Sequence, residues 1–202
     1  MKLYYAPGAC SLASHIALHE SGLPFEIDKL NVPTKTTSGG EDYMQINPKG
    51  YVPAIKLDDG GVLTEGAAIL QYIADQNPAS GLAPKAGTME RYRLQEWLTF
   101  IGTEIHKSFS PMFNKAASDE VKNYARNLLI RRVGYVEEQL ANKPYLMGDS
   151  FTVADAYLFV VLSWSGHVGF DLDPFPRIKE YLARIGARPA VQAAMKAEGL
   201  IK

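Results

Sequence analysis

The spacing of hydrophobic residues changes near residue 80, and this change constrains the fold more than any other feature of the 202-residue sequence. Before it, runs that alternate polar and apolar residues are separated by helical stretches, in the order βαβ and then ββα. After it, the hydrophobic stretches repeat at helical spacing. The sequence therefore predicts an α/β domain followed by an all-α domain.

A segment rich in proline, glycine and serine, residues 77–87, separates the two parts. The charge balance changes at the same place. Residues 1–80 carry five lysines, no arginine and nine acidic residues, whereas residues 81–202 carry sixteen basic and thirteen acidic residues. We predict one domain at residues 1–80, a linker at 81–87 and a second domain at 88–202.

Turn and cap residues delimit the elements of the first domain. Ser11 has the hydroxyl group expected of a helix N-cap, Gly22 follows where that helix ends, and Pro24 prevents its continuation. Thr64 is predicted to begin a later helix. The predicted elements are strands at 2–6, 25–30, 52–57 and 62–63, a loop at 31–40, and helices beginning at 11, 41 and 64.

The second domain is predicted to contain two long amphipathic helices, at 94–105 and 121–140. Thr152 and Asp155 form a capping-box pattern directly before the apolar run 156–162, which we expect to be a core helix. Two shorter helices are predicted to begin at Pro176 and Pro189.

Composition excludes several classes of protein. The formal net charge of −1 disfavours a general nucleic-acid binder, and the longest apolar run is far shorter than the ~20 residues of a membrane-spanning helix. The single cysteine excludes an intrachain disulfide and a zinc site built on several thiolates. The N-terminus has no signal-peptide pattern, so we expect a cytoplasmic protein without a bound metal.

Cys10 lies where the first strand gives way to the first helix. The free N–H groups and partial positive charge of a helix N-terminus stabilise a thiolate, so we expect the pKa of Cys10 to lie below that of an ordinary cysteine. A buried structural cysteine is the alternative. Ala13 stands at the second position of a C-x-x-C pattern, so disulfide turnover would need an external thiol.

Two further features of the first domain indicate a ligand. Pro53 removes a hydrogen bond where it opens a strand, which suits an edge facing a ligand; an ordinary trans proline at a sheet edge is the alternative. Glu65 can pair with an ammonium group, and Gly66 allows a carboxylate to approach the N–H groups of a helix N-terminus. Ordinary capping by Thr64, with Glu65 favoured by the helix dipole, is the alternative.

His106 and Lys107 end the apolar stripe of the first long helix. The imidazole ring can exchange protons near neutral pH, which makes His106 a candidate catalytic residue. The alternative is a solvated helix end at which the helix dipole favours cations.

These features occur in the order found in a known family. The sequence resembles a cytosolic glutathione S-transferase, most closely one of the bacterial beta class, along essentially all 202 residues. The resemblance is carried by Lys2-Leu3-Tyr4-Tyr5, Pro7-Gly8-Ala9-Cys10-Ser11, Asn47-Pro48-Lys49-Gly50, Val52-Pro53, Leu63-Thr64-Glu65-Gly66, Glu96-Trp97-Leu98, Glu104-Ile105-His106-Lys107, residues 152–157 and Glu198-Gly199-Leu200-Ile201.

The resemblance implies a thioredoxin-like N-terminal domain, an all-helical C-terminal domain, a homodimer, and glutathione as co-substrate. By the family's pattern, the backbone of Val52 pairs with the cysteinyl part of glutathione beside a cis Pro53. Glu65 and Gly66 hold the γ-glutamyl group, and Lys35 lies in the stretch that reaches the glycyl carboxylate.

The remaining implied contacts surround the sulfur of glutathione. Cys10 lies at that sulfur and can form a mixed disulfide with it. Tyr5 matches a tyrosine that activates the thiol in other classes, so it is a secondary catalytic candidate. From the helical domain the implied contacts are Thr99, where relatives often carry asparagine, and Thr103, Glu104, Ile105, His106 and Lys107.

The implied activity is detoxifying conjugation of the glutathione thiolate to small hydrophobic electrophiles, with dehalogenation as a variant and Cys10 or His106 as the activating group. The electrophile pocket is expected to be lined by Phe109, Met112, Phe113 and Trp164. A glutathione-dependent thiol–disulfide oxidoreductase using Cys10 is one alternative. A non-enzymatic module that binds hydrophobic ligands or a protein partner is another.

Overall fold

The computed structural model describes all residues from Met1 to Lys202. They form two compact units, one made of Met1–Ala83 with Ala187–Lys202 and the other of Pro84–Gly186. None of the helices is both long enough and apolar enough to cross a membrane.

The first unit is built on a mixed five-stranded sheet with strands β1 (Lys2–Tyr5), β2 (Glu26–Asn31), β3 (Thr36–Thr37), β4 (Ala54–Lys56) and β5 (Val62–Thr64). The strand order is β3-β2-β1-β4-β5. The central strand β1 pairs in parallel with β2 and antiparallel with β4, while β3 and β5 pair antiparallel at the two edges. This is the predicted thioredoxin-like arrangement, in which a βαβ unit is joined to a ββα unit.

The helices of this part are α1 (Ser11–Ser21), α2 (Tyr43–Ile46) and α3 (Gly66–Gln76). The unit's core contains fully buried Leu3 and Ile55 from the sheet, Ile16 from α1, and Ile69 and Ile73 from α3. The helix α1 ends at Gly22 in the left-handed conformation, as predicted.

Two predicted helix starts were wrong, and the third, at residue 41, lies two residues before α2, whose N-cap is Asp42. Cys10, not Ser11, is the N-cap of α1, because the buried Ser11 hydroxyl bonds instead to the backbone of Ala6. Thr64 does not begin α3, because it is the last residue of β5 and pairs with Ala54. The predicted loop 31–40 also contains the short edge strand β3.

The second unit is all-helical, as predicted. It contains α4 (Met89–Phe100), a π-helical turn (Ile101–His106), α5 (Lys107–Phe113), α6 (Asp119–Gln139), α7 (Val153–Ser163) and α8 (Pro176–Gly186). The helix predicted over 94–105 keeps its buried stripe, with Leu94, Leu98, Ile101 and Ile105 inaccessible to solvent. The regular α-helical geometry nevertheless ends at Phe100, and the wider π-helical turn extends from Ile101 to His106.

The C-terminal helix α9 (Pro189–Ala197) packs on α1 and therefore belongs to the first unit. Just after α9, the fully buried carboxylate of Glu198 accepts hydrogen bonds from His15 Nδ1 and from the Gly8 N–H, both at 2.9 Å. Arg188 also donates to Glu20 at the end of α1. The domain division at 81–87 stays a prediction, and these contacts associate residues 187–202 with α1 and the turn before it.

Asp155 anchors the start of the buried helix α7. Its carboxylate accepts hydrogen bonds from the N–H groups of Thr152 and Leu146 at 2.8 Å, and from the hydroxyl groups of Thr152 and Tyr181 at 2.9 Å. Burial raises the pKa of Asp155, and these four donors oppose that effect. The capping box predicted from sequence is therefore one part of a larger buried network.

We expect Asp155→Ala to lower the free energy of unfolding by about 2–4 kcal/mol, because it leaves several buried donors without an acceptor. Urea unfolding would measure the change. Asp149→Ala is the matched control, since Asp149 is exposed on the same connection and should change stability by less than about 0.5 kcal/mol. An unchanged stability together with lost glutathione binding would contradict a structural role for Asp155.

Candidate active site

The predicted sulfur site lies at the start of α1. Cys10 is partly exposed, and its Sγ donates a hydrogen bond to the carbonyl oxygen of Val52 at 3.3 Å. The peptide bond between Val52 and Pro53 is cis, as the resemblance implies. Three of the predicted site residues therefore meet where the turn after β1 approaches the segment before β4.

The start of α3 adjoins this place. Glu65 is the N-cap of α3, and its positive φ of 71° turns the chain out of β5. Gly66 follows, and a Cβ atom at that position would lie 3.8 Å from Cγ of Pro53. Glu65 and Gly66 thus lie next to the cis proline, with the N-terminal end of a helix available to an anion.

The Glu65 carboxylate is held by two residues that sequence reasoning missed. Lys49 Nζ donates to Glu65 Oε1 at 2.5 Å, and the Tyr51 hydroxyl donates to the same oxygen at 2.9 Å. The hydrogen bond to Glu65 is the main cause that raises the pKa of both residues. Both flank Gly50 directly before Val52-Pro53, and this closeness in the sequence could have marked them as candidate site residues.

Lys35 reaches the same loop from β3's side of the sheet. Its Nζ donates to the carbonyl oxygen of Gly50 at 2.6 Å. Gly50 has a φ of 71°, in the left-handed region that favours glycine, and a Cβ atom there would lie only 2.9 Å from Sδ of Met44. The Lys35 ammonium group is therefore positioned beside the segment that leads to Val52.

Tyr5 is buried below this surface, with its ring 5.9 Å from that of His15. Burial raises the pKa of Tyr5, and the negative charges of Glu198 and Asp28 raise it further. A phenol with a raised pKa stays protonated at neutral pH, so Tyr5 can donate a hydrogen bond but cannot act as a base. Its catalytic role stays a prediction.

The residues predicted from the helical part belong to the second unit and do not share one environment. Thr99 and Thr103 are exposed, and the Thr103 hydroxyl donates to the Thr99 carbonyl oxygen at 3.0 Å. Ile105 is fully buried and packs the core of the unit. Glu104 forms an ion pair with Arg132 of α6 at 2.7 Å. The consecutive segment 103–107 therefore presents only some of its side chains to solvent.

His106 ends the π-helical turn and is partly buried. Its Nδ1 lies 2.7 Å from the hydroxyl oxygen of Tyr157, and its ring lies 4.9 Å from that of Trp164. Burial, and secondly the charge of Lys107, lowers the pKa of His106 to about 4. The ring is therefore neutral at pH 7. Isolated π-helical turns occur frequently at functional sites.

An aromatic cluster surrounds Trp164 in the same unit. Phe109 and Phe113 each place a ring edge against Trp164, at 5.8 and 5.7 Å. Phe109 is fully buried, whereas Phe113 is 48% exposed. Of the residues predicted to line an electrophile pocket, Phe113 is thus the one with a large accessible aromatic surface, and Phe109 is a core residue.

Comparison with known proteins gives the family. Residues 8–76 match the domain described as glutathione S-transferase, N-terminal domain, and residues 100–189 match glutathione S-transferase, C-terminal domain. The chain is 46% identical over 200 residues to glutathione S-transferase GstA of Escherichia coli O157:H7, covering 99% of this chain and all of GstA.

Two solved structures extend the match to three dimensions. One is a sphingomonad glutathione S-transferase complexed with glutathione, with 50% identity, a TM-score of 0.96 and complete coverage of both chains. The other is the bacterial beta class glutathione S-transferase of Sphingomonas chungbukensis, with 49% identity, the same TM-score and complete coverage of both chains. The chain therefore belongs to the glutathione S-transferase family, within its bacterial beta class, and is an enzyme of the transferase type.

Proposed function

We propose that this enzyme conjugates the thiolate of glutathione to small hydrophobic electrophiles. The observation that supports this most directly is the charge pattern of the first unit, which complements glutathione. Glutathione carries two carboxylates and one ammonium group, and the loop and helix around Pro53 offer the Lys35 ammonium, the N-terminal end of α3 and the Glu65 carboxylate. The glutathione complex of the sphingomonad relative supports the same co-substrate.

The γ-glutamyl group binds at the start of α3 in this proposal. Its ammonium group pairs with Glu65 and its carboxylate with the N–H groups at the helix N-terminus. The backbone of Val52 pairs with the cysteinyl residue beside Pro53, and the glycyl carboxylate pairs with Lys35. This orientation brings the glutathione sulfur towards Cys10, whose Sγ lies beside the Val52 carbonyl oxygen.

The reaction is a nucleophilic attack by glutathione sulfur. The thiol loses its proton to solvent, and hydrogen-bond donors at the site stabilise the thiolate. The sulfur then forms a bond to an electrophilic carbon, and a leaving group such as chloride departs with the bonding electron pair. We propose that Thr99, Thr103, His106 and Lys107 contribute from the helical unit, with Phe113 and Trp164 at the electrophile.

A thiol-transfer activity is the second candidate function, favoured by the partly exposed position of Cys10 beside the cis proline. In this reaction the Cys10 thiolate attacks a disulfide that contains glutathione and releases the other thiol. A second glutathione thiolate then attacks the mixed disulfide, which yields glutathione disulfide and restores Cys10. A non-enzymatic binding module is disfavoured, because relatives at 46–50% identity are named glutathione S-transferases.

We also propose a homodimer that functions in detoxification in the cytoplasm. A cleft of about 690 Å³ between α4 and α6 supports the dimer. Its lining combines five charged side chains with the aromatic rings of Trp97, Phe100 and Tyr135, whose centroids lie 5.4–6.0 Å apart. Tyr135 is 46% exposed. Aromatic surface of this kind is typical of a protein–protein contact.

Glu65→Gln should weaken glutathione binding about tenfold to a hundredfold, since a charged hydrogen bond to the γ-glutamyl ammonium contributes roughly 1.5–3 kcal/mol. The side chain is 56% exposed, so stability should change little. Calorimetry measures the affinity, and Glu90→Gln, an exposed acid on α4, is the control. Unchanged affinity would remove Glu65 from the site.

Cys10→Ser should abolish any mixed disulfide and the thiol-transfer activity, and should reduce conjugation less, because the attacking sulfur in conjugation belongs to glutathione. Intact mass before and after reduction identifies the disulfide, and the single cysteine makes its assignment unique. A chloro-aromatic acceptor and a small mixed disulfide with glutathione measure the two activities. Thiol transfer that persists in Cys10→Ser would eliminate the second candidate function.

Sedimentation should give a mass of twice 22.2 kDa at micromolar concentration. Tyr135→Glu should shift the equilibrium towards monomer, because it removes an aromatic ring from the contact surface and puts a carboxylate in its place. Tyr124→Glu is the matched control, since Tyr124 lies on the same helix, is 66% exposed and does not line the cleft. A monomeric wild-type protein would contradict the dimer, and equal effects of the two substitutions would contradict the assignment of the cleft.

A further inference from the structure

The contact between His106 and Tyr157 determines what the histidine can offer a ligand. A neutral imidazole has one N–H donor and one acceptor nitrogen, and the partner of one nitrogen fixes the role of the other. Nδ1 of His106 is engaged by the Tyr157 hydroxyl at 2.7 Å. Of the two ring nitrogens, Nε2 is therefore the one left to interact with a ligand.

The chemistry of the two groups favours one direction for this hydrogen bond. A phenol is far more acidic than the N–H of a neutral imidazole, so the hydroxyl is the better donor and the imidazole nitrogen the better acceptor. The burial that keeps His106 neutral also makes an unpaired donor or acceptor costly. With the Tyr157 hydroxyl donating to Nδ1, the ring proton resides on Nε2.

Packing holds the ring in this arrangement. The ring of Trp164 stands edge to face against His106, and the ring of Tyr157 is nearly perpendicular to it at a centroid distance of 5.8 Å. Tyr157 projects from α7, whose residues from Val153 to Leu162 are all buried. The hydroxyl is thus presented by a rigid core helix and not by a surface loop.

We propose that Tyr157 is a positioning residue that holds His106 with its proton on Nε2, so that His106 donates a hydrogen bond to the sulfur of glutathione and does not act as a general base. This inference rests on the proposed function, which assigns His106 to that sulfur. It specifies that the His106 ring acts as a hydrogen-bond donor in that function. The proton of the glutathione thiol goes to solvent, and His106 stabilises the remaining thiolate without accepting a proton.

The tautomer can be read directly by nitrogen NMR of the 15N-labelled enzyme with glutathione bound. The chain has four histidines, and the His106 signals are those lost in His106→Gln. At neutral pH we expect a protonated Nε2 and an unprotonated Nδ1. A proton on Nδ1 would overturn the inference, because Nε2 would then be a basic nitrogen facing the ligand.

Substitution kinetics test the consequence for catalysis. At a pH below the pKa of the bound glutathione thiol, the fraction of glutathione present as thiolate should be roughly tenfold lower in Tyr157→Phe than in the wild-type enzyme. We expect a similar loss in kcat and little change in the KM for glutathione. Thiolate absorbance measures the ionisation. Tyr124→Phe, which removes the hydroxyl of an exposed tyrosine, is the control. A Tyr157→Phe enzyme with wild-type thiolate fraction and kcat would overturn the positioning role.

A second pair of variants separates donation from base catalysis. The side-chain amide of His106→Gln retains an N–H donor near the position of Nε2 but has no basic nitrogen, so it should retain at least tenfold more activity than His106→Ala. Equal loss in both variants would indicate a general base and overturn the inference.

If His106→Ala changes neither the thiolate fraction nor kcat, the assignment of His106 in the proposed function is wrong and the inference fails with it. A proton on Nδ1 with a damaged His106→Ala would instead overturn the inference alone.

Discussion

Burial of α1 is the constraint on which the first unit depends. Eight consecutive residues, from Ser11 to Leu18, are inaccessible to solvent, which means that α1 is covered on every side and not only along one stripe. The sheet, α3 and α9 supply that cover. Because the helix cannot shift without disrupting all of these contacts, its N-terminal end has a fixed position, and Cys10 with it. The buried Glu198 carboxylate adds a direct tie, since it binds both His15 of α1 and the N–H of Gly8 in the turn that leads to Cys10.

In the second unit, the buried helix α7 corresponds to α1 of the first unit. This helix is apolar around its circumference and is held at its start by the four donors that converge on Asp155. Its rigidity carries over to the segment that ends at His106, because Tyr157 of α7 contacts the histidine ring. In both units, therefore, a fully buried helix positions a polar group whose surroundings are otherwise partly open. Such pre-organisation lets a site stabilise a charge without rearranging.

The charges of the first unit are more constrained than they would be on isolated side chains. Glu65 is not a solitary carboxylate, because Lys49 and Tyr51 both bind one of its oxygens. A ligand ammonium that approaches Glu65 must therefore use the second oxygen or replace Lys49. Lys35 is similarly restrained through the Gly50 carbonyl oxygen. All four residues belong to, or contact, the short loop before the cis proline, so a ligand that bound there would be coupled to the conformation of one segment.

Local signals in the sequence determined much of this protein. Alternating and helical periodicities gave the order of strands and helices, Gly22 ended α1 because it adopts a left-handed conformation, and Thr152 with Asp155 marked the start of α7. The ordered motifs also identified the family.

Tertiary structure decided what depends on residues distant in the chain. The Ser11 hydroxyl bonds to the backbone of Ala6 and does not cap α1, and Thr64 pairs with Ala54 in a strand. Glu198, which follows α9, binds Gly8 of the first unit. The partners of Glu65 and His106 likewise come from other elements. Periodicity and capping reflect interactions within about one helical turn or one strand pair, whereas these contacts exist only once the chain has folded.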